Sequence, residues 1–214
     1  MDALNTDRRN LDSSEAIQRP SLLEQLRSCS RAEHQQLDAQ PLVQELMRRF
    51  TRESYRKFFL FSGAFTFSYQ KVILASQEKL GDLFPVNPAA ELWRLDAEAF
   101  GFSGSLPLWS LQDFFGLASL EQPDDVPLTL HALAYVWEGS ALGSQQIAKM
   151  ANKFPEALPL AYFSRSQSEP DRWGRFCNYL SGLNLSPPQQ ARVADAARDV
   201  FAYLTLRCQG SWDL

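Results

Sequence analysis

Four charged or metal-binding side chains are spaced to share one face of a helix. Arg27, Arg31, His34 and Asp38 recur every three or four residues, and this spacing places side chains one above another on a helix. A neutral imidazole can bind a metal when a carboxylate holds the proton on its other nitrogen, and guanidinium groups bind carboxylates. The pattern indicates a site for a doubly acidic ligand with a metal centre. The alternative is a solvated helix face with an incidental histidine.

The segment that carries these residues has clear helix boundaries. Ser21 and Glu24 have the spacing of a capping box, in which the two side chains satisfy backbone N–H groups at the start of a helix. Pro41 closes the segment. We therefore expect one helix from about Leu22 to about Ala39.

A second informative stretch combines glycine and serine inside a helical pattern. The predicted helix runs from about Pro127 to about Met150 and contains Y-V-W-E-G-S-A-L-G-S-Q at residues 135–145. A glycine inside a helix costs about 1 kcal/mol relative to alanine, so Gly139 and Gly143 require a reason. Either the backbone approaches a flat ligand or bends over it, or the glycines permit close helix–helix packing.

Together the two stretches resemble the haem oxygenase family, and in particular its soluble bacterial branch. The resemblance depends on the order and spacing of L-R-x-x-S-x-x-x-H at residues 26–34 and of the glycine stretch about 100 residues later. It extends from about Ser21 to about Gln209. Further matches are L-W-R-L-D at 92–96 with Phe100 and Gly101, A-Y-F at 161–163, W-G-R-F at 173–176, and the last helix at 196–206.

The resemblance implies an all-α, single-domain, multi-helix fold in which haem is sandwiched between a proximal and a distal helix. Residues 1–20 are expected to be a flexible arm, and residues 21–214 the helical domain. His34 matches the proximal haem ligand and Asp38 the acidic residue beside it. The resemblance also implies a set of haem-propionate partners, Arg27, Arg31 and Arg175, and a set of distal-helix residues near the oxygen site, Gly139, Ser140, Gly143 and Ser144.

Two residues of the distal stretch depart from the family pattern. Ser144 stands where a second glycine is common, and its hydroxyl is expected to join a distal water network. Trp137 replaces a smaller residue and would narrow the oxygen site if it pointed there. The distal aspartate of the animal branch is missing, and Glu138 receives no catalytic role. These departures leave open a non-catalytic haem- or tetrapyrrole-binding protein of the same fold.

The activity implied by the resemblance is oxidative cleavage of haem b to biliverdin, carbon monoxide and ferrous iron, with haem as both cofactor and substrate. The reaction uses O2 and electrons. The electrons are expected to come from outside the chain, because it has no G-x-G-x-x-G dinucleotide motif. We therefore expect a ferredoxin or an NADPH-dependent reductase as partner. Two basic stretches are candidate docking surfaces or simply solvated faces: Arg48, Arg49, Arg52, Arg56 and Lys57, and Lys149 with Lys153.

Composition and charge fit one soluble domain. The 214 residues, 45% of them hydrophobic, are enough for a single sizeable core, and a net charge of −4 argues against nucleic-acid binding as the main activity. Three scattered cysteines favour the reducing cytoplasm. The sequence is not expected to carry a leader or an apolar run near 18 residues, so no membrane association is predicted.

Two other metal sites are disfavoured. His131 lies two turns before Gly139, but no family position matches it, and a surface or hydrogen-bonded histidine is expected there. A helical di-metal oxygenase needs Glu-x-x-His pairs. Arg31 and Leu128 occupy the positions three residues before the two histidines, so that class lacks its ligands.

Overall fold

The computed structural model describes residues 20–80, 85, 88–116 and 125–212, excepting the side chains of 77–80. These residues form α-helices without any strand, which confirms the all-α prediction. Most of the predicted N-terminal arm, residues 1–19, lies outside the described residues. The helices are α1 Leu22–Cys29, α2 Arg31–Asp38, α3 Pro41–Arg48, α4 Arg52–Leu80, α5 Ala89–Ala99, α6 Leu111–Phe115, α7 Asp125–Ala151, α8 Arg165–Ser168, α9 Arg172–Ser181 and α10 Pro187–Cys208.

The long helices α7 and α10 pack along each other and organise the fold. α10 also supports α1 and α2, while α4 packs against α3, α5 and α7. The inner face of α10 is apolar at the three- and four-residue spacing of an amphipathic helix. Burial of each larger aliphatic side chain contributes about 1.5–3 kcal/mol. The buried members of this face are Val193, Ala196, Ala197, Val200, Phe201 and Leu204.

The aromatic residues of α4 form core and not a ligand site. Trp93 of α5 stacks on Phe59 with ring centroids 4.7 Å apart, and its indole N–H donates to the Phe59 carbonyl oxygen at 2.9 Å. Gly63 leaves room for this indole, because a Cβ at that position would overlap Trp93. The buried aromatic residues of α4 are Tyr55, Phe59, Phe61, Phe65 and Tyr69.

Helix α4 is also long and apolar enough to resemble a membrane span. An 18-residue window within Arg52–Ser76 has a mean hydropathy of 1.2, so the expectation that no apolar run approaches 18 residues does not hold for this helix. Within the protein, 67% of that window is buried. A buried core helix has the same composition, so the apolar run alone is weak evidence for a membrane location.

The predicted helix from Leu22 to Ala39 is interrupted at Ser30, which separates α1 from α2. Ser30 is buried, and its hydroxyl donates to the Leu26 carbonyl oxygen at 2.7 Å. Such a bond to the preceding turn bends helices. The backbone bonds from Ser30 N to Leu26 O and from His34 N to Ser30 O keep the two segments close to one axis. The capping box at Ser21 and Glu24 is present as predicted.

Candidate functional site

Eight side chains from four helices line one open groove with a volume of about 430 Å³. All four residues of the predicted stripe on α1 and α2 belong to it. Tyr135 comes from α7 and Phe201 from α10, so the groove lies where the long helix pair meets α1 and α2. Its lining residues are Arg27, Ser30, Arg31, His34, Gln35, Asp38, Tyr135 and Phe201.

His34 is held by two neighbours while its side chain stays 55% exposed. Its Nδ1 lies 3.1 Å from Asp38 Oδ2, one helical turn away. Its ring meets Phe201 edge to face, with centroids 5.0 Å apart. Because an ionised carboxylate only accepts hydrogen bonds, this contact favours the proton on Nδ1 in a neutral imidazole, which leaves the lone pair on Nε2. The contact therefore favours the tautomer that a metal ligand needs.

Tyr135 connects α7 to the break between α1 and α2. Its side chain lines the groove together with Ser30 and Arg27. Burial raises the pKa of Tyr135 above its usual value, although Ser30 and Arg27 act in the opposite direction. Tyr135 therefore brings α7 into the lining of the groove.

The lining of the groove fits a flat acidic ligand with a metal at its centre. Its volume lies in the range of about 300–1,000 Å³ typical of small-molecule sites. Phe201 and Tyr135 offer apolar ring surface, and His34 offers one nitrogen. The exposed guanidinium groups of Arg27 and Arg31 offer charge for carboxylates. One imidazole suffices for an axial bond to a macrocyclic metal, whereas the described residues contain no group of three His, Cys, Asp or Glu side chains that could hold a bare ion.

Gly139 and Gly143 follow Tyr135 along one face of α7, in steps of about 40° around the axis, but neither lines the groove. A Cβ at Gly139 would meet Trp173 of α9 at 3.7 Å, which is ordinary contact, and a Cβ at Gly143 would meet nothing within 4 Å. Close helix–helix packing, one of the two explanations from the sequence, therefore does not require either glycine in the described structure.

Trp137, Ser140 and Ser144 do not line the groove. Trp137 is buried and stacks on Tyr69 at 4.9 Å, so its bulk fills the core and does not narrow the site. The hydroxyls of Ser140 and Ser144 are engaged by Arg165 at 3.1 and 2.8 Å. Both hydroxyls therefore join α7 to α8.

Arg175 and Glu138 also have partners outside the groove. Arg175 donates to Glu169 at 2.8 Å on the surface of α9, so the structure does not bring it to Arg27 and Arg31. Glu138 is buried and receives two hydrogen bonds from Arg172, at 2.8 and 2.6 Å. Glu138 therefore links α7 to α9, in keeping with the absence of a predicted catalytic role.

His131 is the hydrogen-bonded histidine that the sequence predicts. Its Nδ1 lies 3.3 Å from the Tyr179 hydroxyl, and it does not line the groove. Burial lowers its pKa, so its neutral form is favoured near pH 7.

Three of the five residues in the larger basic stretch are paired with acids on the surface. Arg52 lies 3.1 Å from Glu156, and both Arg56 and Lys57 lie within 4 Å of Glu53. This pairing reduces the net positive charge that the stretch offers to an acidic partner.

The sequence analysis missed four lining residues, Ser30, Gln35, Tyr135 and Phe201. Tyr135 had a signal, because it lies one turn before Gly139 on the same helix face. Phe201 had none, because its position beside His34 depends on how α10 packs.

A comparison with family models matches no family, and a comparison with curated proteins finds no relative of this chain.

Proposed function

We propose that this chain binds haem in the groove and opens the macrocycle to biliverdin, carbon monoxide and ferrous iron, with O2 and external electrons. The observation that carries the proposal is the position of His34, which lines a groove of suitable size beside two guanidinium groups while its Nδ1 lies 3.1 Å from Asp38 Oδ2. The resemblance in the two sequence stretches supplies the reaction. The groove chemistry supports the ligand class.

Six of the eight lining residues have a role in this proposal. His34 Nε2 would be the protein's iron ligand, and Asp38 would fix its orientation and tautomer. Arg27 and Arg31 would hold the propionates, while Phe201 and Tyr135 would contact the ring. Bound haem supplies the oxygen chemistry, and a neutral histidine donates less electron density to the metal than a thiolate does.

The glycine face of α7 supports a flat ligand beyond the end of the groove. Protein packing accounts for neither Gly139 nor Gly143. The two glycines lower the helix propensity of α7 and are not needed for packing. We therefore take them as space left for a ligand. In the proposal, the ligand extends past Tyr135 along this face.

A non-catalytic haem-binding protein is the second candidate, and one observation favours it. Trp173 lies against Gly139 and contacts Tyr135, with ring centroids 6.0 Å apart. This indole covers part of the helix face that would need to approach the ligand. Under this alternative the groove binds the macrocycle, but no ring opening follows.

Hemin titration followed by reduction separates the two candidates. A Soret band that saturates at one hemin per chain is expected for both. Supply of electrons from ascorbate, or from a ferredoxin with its reductase, under O2 is expected to replace that band with bilin absorption only if the chain is a haem oxygenase. Failure to bind hemin contradicts both candidates.

Charge reversal at Arg27 tests the proposed propionate contact. Arg27→Glu is expected to weaken hemin binding by about tenfold, roughly 1.4 kcal/mol, or to change the bilin isomer by letting the ring rotate. Hemin titration and chromatography of the product measure the two effects. Arg94→Glu makes the same charge change at an exposed site on α5 outside the groove and is expected to alter neither. Equal affinity and isomer in the Arg27 variant would remove Arg27 from the site.

A further inference from the structure

A small cavity of about 30 Å³ lies where α7, α8 and α9 meet. A cavity needs about 10–15 Å³ of such volume to hold one water molecule, so this one has room for about two waters or for one small ion. Three residues of its lining, Leu142, Gln145 and Pro170, are exposed, so the cavity reaches the surface. The other lining residues are Glu138, Ala141, Arg165, Ser166, Glu169, Arg172 and Trp173.

Arg165 brings a buried positive charge to this cavity. The residue is only 5% exposed. Its Nη1 donates to Ser144 Oγ at 2.8 Å and to the Tyr162 carbonyl oxygen at 3.2 Å, and its Nη2 donates to Ser140 Oγ at 3.1 Å. All three partners are uncharged, whereas buried charges are normally paired with an opposite charge.

The aromatic neighbours of Arg165 do not replace a counter-ion. Its Cζ lies 4.4 Å from the ring centroid of Tyr162 and 5.2 Å from that of Trp137. A ring face attracts a cation but carries no net charge. The guanidinium group therefore forms no ion pair with a carboxylate of the described residues.

Two buried donors beside the cavity also have no acceptor. Arg165 Nε and Ser166 Oγ are both buried, and neither forms a hydrogen bond within the part of the chain that the structure describes. An arginine nitrogen can only donate, and a serine hydroxyl has one proton to donate. A buried donor without an acceptor is costly. Because both residues line the same cavity, one acceptor bound there could satisfy both donors.

The carboxylates in the cavity lining are already engaged by other cations. Both oxygens of Glu138 accept from Arg172, at 2.8 and 2.6 Å. Glu169 accepts from Arg172 at 3.3 Å and from Arg175 at 2.8 Å. Burial raises the pKa of Glu138, whereas Arg172 and Arg165 act in the opposite direction. With Arg165 included, three guanidinium groups stand against two carboxylates, so this cluster has one positive charge in excess.

We propose that the cavity binds one small monovalent anion, such as chloride, with Arg165 and Ser166 as its donors. The anion accepts from Arg165 Nε and Ser166 Oγ and balances the excess positive charge. A sulfate ion is larger and doubly charged, so it fits neither the space nor the charge. The inference is independent of the proposed haem function, because the cavity and the groove at His34 share no lining residue.

The melting temperature of the hemin-free protein measures anion binding. Sodium chloride is titrated against sodium gluconate at constant ionic strength, because gluconate is too large for the cavity. A ligand that binds only the folded chain raises the melting temperature as its concentration rises past the dissociation constant. At ten times the dissociation constant, the expected rise for a chain of 214 residues is about 3–6 °C.

Two serines of α8 form a matched pair for this titration. Ser166→Ala removes a donor that has no partner in the described structure, so the variant is expected to melt in gluconate at the parent's temperature or above it. It is expected to need about tenfold more chloride for the same rise, because a hydrogen bond to an ion is lost. Ser168→Ala is the control and should keep the parent's response, since Ser168 is exposed and does not line the cavity.

Two variants of Arg165 separate its charge from its geometry. Arg165→Met removes the cation and is expected to abolish the rise with chloride. Arg165→Lys keeps the charge but offers a single ammonium in place of the planar fork, so a smaller rise is expected. Circular dichroism shows which variants fold. If neither Arg165 variant folds, the comparison of Ser166→Ala with Ser168→Ala decides the question by itself.

A crystal of the parent protein grown in bromide tests the position of the ion, because bromide scatters X-rays anomalously. The expected result is an anomalous peak beside Arg165 and Ser166, together with the rise in melting temperature. Equal melting in chloride and gluconate contradicts the site and leaves water as the occupant. An equal response of Ser166→Ala and Ser168→Ala contradicts it as a general salt effect, and a peak without any rise in solution shows an adventitious ion only. Failure of hemin to bind overturns the proposed function and leaves this inference unchanged.

Discussion

His34→Ala is expected to abolish bilin formation and to weaken hemin binding. Loss of a residue that only supports a metal ligand typically weakens metal binding tenfold to hundredfold, roughly 1.4–2.8 kcal/mol, and loss of the ligand itself is expected to cost at least as much. The reason is that His34 alone among the groove residues combines a free nitrogen lone pair with a carboxylate that fixes the ring. The Soret maximum and the rate of bilin formation measure the loss. Fold stability is expected to change by less than about 1.5 kcal/mol, because the exposed ring loses only its contacts with Phe201 and with the exposed Asp38.

The second histidine is the matched control for this experiment. His131→Ala removes the hydrogen bond to Tyr179, outside the groove, and is expected to keep the hemin spectrum and the rate. Added imidazole is expected to restore part of the spectrum of His34→Ala, since a free ligand can occupy the emptied position. A normal spectrum and full turnover in His34→Ala without imidazole would show that the iron ligand lies elsewhere.

Asp38→Asn is a milder variant than His34→Ala, because it keeps the imidazole and changes only the group that favours its tautomer. An amide can place its NH2 group toward Nδ1 and thereby favour the proton on Nε2, the nitrogen proposed to bind iron. The Asp38 side chain is 57% exposed, so solvent moderates the effect. We expect a threefold to tenfold fall in hemin affinity, roughly 0.7–1.4 kcal/mol, measured by hemin titration. Unchanged affinity would show that Asp38 does not control the ring.

Local signals in the sequence were enough to place most of the helices. Ser186 and the proline after it predict a helix from Pro187 to about Cys208, and α10 has these bounds, because serine caps a helix and proline suits the first helical position. Helix α7 extends the prediction by two residues at its start and one at its end. The break at Ser30 escaped prediction because it depends on the burial of that serine, which only the packing of α1 decides.

The candidate site was predictable in its charged half and not in its distal half. Arg27, Arg31, His34 and Asp38 share a helix face by spacing alone, and the structure places all four along one groove. The roles expected of Ser140 and Ser144 came from the resemblance, which carries no information on where a hydroxyl points. Their partner, Arg165, lies more than 20 residues away along the chain, so no local pattern could reveal the contact.

Two glycine-to-alanine variants are expected to change stability in opposite directions. Gly143→Ala gains helix propensity of about 1 kcal/mol and meets no neighbour, so the free protein should melt about 2–4 °C higher. Gly63→Ala forces a methyl group into Trp93, which is fixed by its stacking on Phe59 and by its indole hydrogen bond. It is expected to destabilise the fold by about 1–3 kcal/mol, which lowers the melting temperature by about 2–12 °C. Thermal melting of both variants without hemin measures the contrast.

The functional effect of Gly143→Ala is expected to oppose its effect on stability. If the glycine face of α7 is left open for the macrocycle, the new methyl group stands where the ligand would lie, so bilin formation should fall even though the free protein is more stable. The rise in melting temperature on hemin addition should shrink as well, because a ligand that binds more weakly stabilises the folded state less. A stabilised variant with full turnover and an undiminished hemin shift would mean that solvent, and not a ligand, occupies this face. In that case the glycines of α7 would be incidental to the groove at His34.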